Sequence, residues 1–199
     1  GYVDDEEHIE ELRPMNMYGY SKQMFDLWAR RQGLLSKITG VKYTNVFGPN
    51  ELHKAEMRSV VCRAYEQIRD TGKVGLFKSY RSEYADGEQK RDFIYVKDAV
   101  KMVMFLLENR CRGIYNIGSG RAETWNSLAS AVFKALDKPV NIEYIEMPEH
   151  LRGKYQYYTC ADIAKIRNAG YTDIVTPLED TVADYIRNYI SQGRFLGDE

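Results

Sequence analysis

The sequence predicts an α/β protein with a largely parallel sheet and a smaller second lobe. Three observations carry this expectation. Helix-like and strand-like segments alternate along most of the chain, the turn signals between them are short, and the rhythm changes after Gly48. With 199 residues, 44% hydrophobic and 13% aromatic, there is enough apolar surface to bury a sizeable core.

The opening Gly1-Tyr2-Val3, followed by Asp4-Asp5-Glu6-Glu7 and Ile9-Glu10-Glu11, reads as a polar connecting loop in the interior of a longer protein. Met24, Phe25, Leu27 and Trp28 recur at helical spacing, so a helix is expected over Tyr20 to Arg31, stopping at Gly33. Ile38 to Phe47 reads as one strand closed by Gly48-Pro49, and Met57 to Arg69 as a helix. Gly75 to Phe77 and Phe93 to Val96 look like short strands flanking a polar surface loop, Lys78 to Lys90. A helix over Asp98 to Asn109 follows, with Asp98 as its cap, then a strand over Gly113 to Ile117 and a helix over Thr124 to Leu136. Val140 to Ile145 is a strand and Ala161 to Asn168 a helix stopped by Gly170. The last helix is announced by Thr176-Pro177-Leu178-Glu179, with threonine capping, proline at the first helical position and glutamate reaching back.

Charge and cysteine usage restrict the function. A net charge of -1 with acids and bases interleaved gives no electrostatic draw toward nucleic acid or an anionic membrane. Cys62, Cys111 and Cys160 are odd in number and lack Cys-x-x-Cys spacing, which favours reduced thiols and a cytoplasmic setting. No run approaches the length of a membrane span, and no signal-peptide pattern opens the chain. His53 and His150 have no partners at metal-ligand spacing, so no metal site is expected.

The chemistry-bearing motif is Tyr18-Gly19-Tyr20-Ser21-Lys22. A tyrosine and a lysine at i, i+4 project from one helix face. A phenol is a poor base near pH 7, whereas an ammonium held beside a phenol favours the phenolate and suits it to proton transfer. The competing reading is an ordinary surface pair, since Tyr-x-x-x-Lys is common. The glycine-rich dinucleotide fingerprint is absent: Gly118-Ser119-Gly120 has Glu123 where a third glycine is needed, and reads as a strand-to-helix turn.

Further segments join the motif in a fixed order: Asn45-Val46-Phe47-Gly48-Pro49, Lys90-Arg91-Asp92-Phe93-Ile94-Tyr95-Val96-Lys97-Asp98 and Tyr115-Asn116-Ile117-Gly118-Ser119-Gly120. With His53-Lys54, Gly120-Arg121-Ala122-Glu123 and Gly153-Lys154-Tyr155-Gln156, the chain resembles the nucleotide-sugar epimerase family of extended short-chain dehydrogenase/reductases from Arg13 onward. The resemblance implies the second part of a Rossmann-like doubly wound parallel sheet over residues 1–50, and a smaller α/β substrate-binding lobe over 51–199, with about 90–118 returning to the Rossmann-like part. It implies a homo-oligomeric enzyme of the bacterial cytoplasm, with NADP as cofactor (NAD being the alternative) and an ADP-sugar as substrate.

By the same resemblance, Tyr18 and Lys54 are acid/base residues and Lys22 supports Tyr18 and holds the nicotinamide ribose. Val46 and Lys54 adjoin the cofactor. Asn45, Phe77, Lys78, Ser79, Tyr80, Arg91 and Tyr155 bind substrate, Arg91 at the diphosphate, where its planar fork suits phosphate oxygens. The chain departs from the family pattern at Lys78-Ser79-Tyr80 with its longer polar loop, and at Glu56 and Arg63, where a serine and a histidine are expected. Two other functions stay open: 4-epimerisation or 4,6-dehydration of another nucleotide sugar, and an inactive fragment that serves as a sugar-nucleotide binding or oligomerisation module.

Overall fold

A computed structural model describes residues 4–198. In chain order its elements are α1 (Met17–Arg31), β1 (Thr39–Tyr43), β2 (Asn45–Phe47), α2 (Val60–Thr71) and β3 (Val74–Phe77). They continue with β4 (Lys90–Arg91), β5 (Phe93–Tyr95), α3 (Val96–Glu108), β6 (Gly113–Ile117) and β7 (Glu123–Thr124). The chain closes with α4 (Trp125–Ala135), β8 (Ile142–Ile145), α5 (Glu149–Arg152), α6 (Ala164–Asn168) and α7 (Leu178–Asn188).

Helix α1 begins at Met17 because Asn16 is extended and its side chain accepts from Gly19 N at 2.8 Å, satisfying one of the orphan donors of the first turn. The single strand expected over Ile38 to Phe47 is two. β1 pairs in parallel with β6, Thr39 opposite Gly113, and β2 pairs in parallel with β5, Asn45 opposite Phe93. The chain changes partner at Thr44. β3 and β8 form a third parallel pair, while β4 and β7 are antiparallel.

The junction of β4 and β5 is held by Asp92, a fully buried carboxylate. It accepts from Ser119 N at 2.7 Å, Ser119 Oγ at 2.8 Å, Gly120 N at 3.1 Å, Ala161 N at 3.0 Å and Thr44 Oγ1 at 3.3 Å. These bonds compensate the burial of the charge and fasten the turn after β6 to the strands beside it. Gly118 is required there, since a Cβ would lie 2.6 Å from the Ala161 side chain. The Gly118-Ser119-Gly120 turn is thus built around a carboxylate.

Two apolar clusters form the core. One gathers Ile94, Met102, Leu106, Ile117 and Ile166 around α3 and β6. The other packs α2, α4 and α7 against β2, β3 and β5 through Ile68, Leu128, Phe133 and Tyr185. Two capping expectations are corrected here. Asp98 lies inside the first turn of α3, whose cap is Tyr95, and its Oδ2 accepts from Thr176 N at 2.9 Å. That contact draws Thr176 away from α7, so Pro177 occupies the cap position with no side-chain cap, and Glu179 pairs with Lys134 instead. The Lys78 to Lys90 loop is also less superficial than its composition suggests, because Gln89 is fully buried and Asp86 accepts from Ser79 N at 2.6 Å.

Candidate active site

Tyr18 and Lys22 stand one turn apart on α1, and the Lys22 ammonium lies 4.5 Å from the centroid of the Tyr18 ring. This is cation–π contact, so the pair is a physical unit. Both residues line a long open groove of about 1430 Å³, together with Asn45 and Val46 at the start of β2. Asn45 is placed there by the change of strand partner, its backbone N–H donating to Asp92 O at 3.0 Å. Four of the residues expected at the site therefore share one groove.

A second group gathers near the ends of β3 and β8. Phe77 packs edge-on to Tyr155 with ring centroids 6.3 Å apart, and Tyr155 in turn meets Tyr157 at 5.4 Å. The Arg91 guanidinium lies 5.1 Å from the Tyr155 ring and 5.7 Å from Trp125, and Trp125 Nε1 donates to Tyr155 Oη at 2.9 Å. Burial pushes the Tyr155 hydroxyl above the usual tyrosine range despite the neighbouring Arg91. Arg91 is only 7% exposed, packs against these two rings, and is not among the groove-lining residues. Lys78 pairs with Glu146 at 2.7 Å, the Tyr80 hydroxyl donates to the same carboxylate, and Arg152 stacks 4.1 Å over the Tyr80 ring. The hydrogen bond to Glu146 raises Lys78 and Tyr80 above their ordinary ranges, and Lys78 holds Glu146 below its own.

Lys54 stands apart from both groups. It is exposed in the 3-10 stretch Leu52–Met57, and it does not line the groove.

The sequence reading missed Lys154 and Gln156 as groove residues. In Lys154-Tyr155-Gln156-Tyr157 the first and third line the groove while the second and fourth pack on each other beside Phe77 and Tyr84. That period-2 pattern was the available signal. It links the two groups through one short segment. Arg58 and Ser59, beside the start of α2, also line the groove, as do Asp26 and Lys42. Among the described residues, no cluster of His, Cys, Asp and Glu could hold a metal ion.

Comparison with known proteins agrees with this architecture. The model of the NAD dependent epimerase/dehydratase family matches residues 2–118. The chain is 53% identical over 192 residues to ADP-L-glycero-D-manno-heptose-6-epimerase of Nitratidesulfovibrio vulgaris (strain Hildenborough), covering 96% of this chain and 59% of that protein. It is 46% identical over 202 residues to the enzyme of the same name from Fusobacterium nucleatum, covering 96% of this chain and 61% of the relative. It thus spans about three-fifths of the length of the curated relatives it matches. Among solved structures, the Helicobacter pylori ADP-L-glycero-D-manno-heptose-6-epimerase superposes with a TM-score of 0.72 at 27% identity, over 88% of this chain and 52% of the other. The UDP-glucose 4-epimerase of Thermus thermophilus, in complex with NAD, superposes with a TM-score of 0.69 at 24% identity, over 89% of this chain and 56% of the other, and shows the fold alone. The fold is Rossmann-like α/β, with helices and parallel strand pairs.

Proposed function

The chain belongs to the NAD dependent epimerase/dehydratase family, and from that premise we propose that it is part of an NADP-dependent enzyme that inverts C6 of the heptose in ADP-D-glycero-D-manno-heptose. The product is ADP-L-glycero-D-manno-heptose, for lipopolysaccharide core synthesis in the bacterial cytoplasm, and the working form is a homo-oligomer. The observation that carries the reading is the Tyr18–Lys22 pair, stacked at 4.5 Å and opening into the groove shared with Asn45 and Val46. Relatives of that name at 53% and 46% identity support the choice of sugar.

The groove exceeds the roughly 300–1000 Å³ of a single small-molecule site, which supports room for a cofactor beside a substrate. Its residues fit a nicotinamide nucleotide: an ammonium at Lys22 for ribose hydroxyls and an apolar surface at Val46. When bound, the cofactor supplies the acceptor and donor of hydride. In one orientation of the sugar Tyr18 takes the proton of the carbinol hydroxyl as the C–H bond breaks, leaving a ketone, whose oxygen receives its proton from the other acid/base residue after the sugar turns and the opposite face is reduced. Lys22 keeps its ammonium 4.5 Å from the Tyr18 ring centroid, beside the phenol. Lys54 serves as acid/base in the second orientation of the sugar, and Asn45 orients the sugar. Phe77, Lys78, Ser79, Tyr80, Arg91 and Tyr155 bind the substrate, on a lobe that spans mainly residues 51–199 with about 90–118 returning to the Rossmann-like part.

The test is product analysis by NMR with ADP-D-glycero-D-manno-heptose and the protein as the cell makes it. Conversion to the C6 epimer that is lost in Tyr18→Phe is expected. Turnover of a UDP- or dTDP-hexose alone would move the function to 4-epimerisation or 4,6-dehydration. Binding without turnover of any nucleotide sugar would leave a binding or oligomerisation module.

A further inference from the structure

We propose that Glu51 is the positioning residue for Lys54: it opens the Lys54 loop, and its buried carboxylate ties that opening to the loop's far end at Ser59 and so sets where the ammonium stands. The proposal rests on the reading of Lys54 as an acid/base residue.

Glu51 is only 5% exposed, a costly place for a carboxylate without compensating donors. Ser59 N donates to it at 2.5 Å, Ser59 Oγ at 2.6 Å and the Tyr185 hydroxyl, from α7, at 2.9 Å. Its own carbonyl accepts from Lys54 N at 3.0 Å. Glu51 is itself the start of the loop, its backbone carbonyl bonded to Lys54 N, and its carboxylate ties that start to the loop's end at Ser59. Between them the backbone is strained. Ala55, next to Lys54, has φ 47° and ψ −122°, a conformation that ordinary side chains seldom adopt. Such strain persists where the surroundings over-determine it, and it concentrates at functional sites. Asn50 supplies a second restraint: its Oδ1 accepts from Leu196 N at 2.8 Å, and its Nδ2 donates to Leu196 O at 3.3 Å. Lys54 thus sits on a short arm with a fixed base. A glutamine there can keep the bond from Ser59 N through its Oε1, but its NH₂ then meets the Ser59 and Tyr185 hydroxyls, which must turn to accept, and the charge that strengthens the clasp is lost.

The competing role is purely structural, because Ser59 also caps α2 by accepting from Cys62 N at 3.2 Å. A double-mutant cycle in the protein as the cell makes it separates the two. Glu51→Gln should lower kcat on the order of 10- to 100-fold, the cost of misplacing a reacting group, with KM for the ADP-heptose nearly unchanged. In a Lys54→Met background the same substitution should lower kcat no further, and Glu51→Asp should recover part of the loss. Tyr185→Phe, which leaves the clasp on Ser59 intact, should give a smaller loss of the same kind and carries the cycle if Glu51→Gln fails to fold. Unchanged kcat in the Glu51 and Tyr185 variants, or an equal loss with and without Lys54, overturns the proposal. A Lys54→Met enzyme with normal kcat instead overturns the acid/base reading of Lys54, and the proposal with it.

Discussion

Lys42 Nζ lies 2.9 Å from Asp26 Oδ2, with the two side chains 18% and 16% exposed. This ion pair ties α1 to β1, and α1 is otherwise thinly covered: Tyr18, Phe25 and Trp28 are each half-exposed or more. The placement of Tyr18 and Lys22 over the groove depends on how α1 is seated. Asp26→Asn should therefore cost about 1–3 kcal/mol, between the values for exposed and fully buried pairs. Urea unfolding at pH 7 measures it, and a stability within about 0.3 kcal/mol of wild type would show that α1 is seated by other contacts.

Catalytic roles separate by rate and by affinity. Tyr18→Phe and Lys54→Met should each slow epimerisation by a factor on the order of 10² to 10⁴, the usual contribution of a positioned acid or base. Lys22→Met should lose cofactor affinity as well, while thermal unfolding of all three stays near wild type. Steady-state turnover with NADP titrations checks each part; a Lys54→Met enzyme at full rate would leave Tyr18 as the sole acid/base residue.

Arg91 packs against the Trp125 and Tyr155 rings, and its Nη1 donates to Lys90 O at 2.8 Å. If it makes a charge-assisted contact to the substrate diphosphate, Arg91→Ala should weaken ADP-sugar binding by about 1.5–3 kcal/mol. Calorimetry with ADP alone should show a comparable loss, because the diphosphate is common to both ligands. Unchanged affinity for both would make the stacked guanidinium a packing element.

Acid stability should depend on Asp184. Burial raises its pKa, but hydrogen bonds from Lys97, Tyr95 and Asn188 outweigh that and hold it below the ordinary carboxylate range. A depressed pKa contributes stability that is present above the unfolded pKa of about 3.9 and is lost as pH falls through the folded value. Asp184→Asn should therefore lower stability at neutral pH and flatten the loss between about pH 4 and the folded pKa, as read from urea midpoints along a pH series. An acid limb as steep as that of wild type would assign the acid sensitivity to other carboxylates.

Local signals were the legible ones. The helix expected over Thr124 to Leu136 and the i, i+4 pairing of Tyr18 with Lys22 each depend on residues a few positions apart, and both are present in the fold. The strand over Gly113 to Ile117 was equally plain, a short apolar run between turn signals. The division of one expected strand at Thr44 was not legible, since no glycine or proline marks the break and only the competing partners β5 and β6 reveal it. The caps of α3 and α7 were misread for a related reason: Asp98 and Thr176 satisfy each other across the fold instead of their own helix ends.

The sequence by itself determined the α/β class, the order of the elements, and the single turn of helix that presents a phenol beside an ammonium, because backbone propensity and side-chain spacing act over a few residues. Tertiary structure alone decided what surrounds that pair. It packed Arg91 against the Trp125 and Tyr155 rings, turned Lys154 and Gln156 toward the groove, and brought Tyr185 onto Glu51 across 134 positions of chain. Those contacts exist only where packing closes long loops and buried polar groups must find partners, and no periodicity in the chain encodes which partner a buried carboxylate will meet.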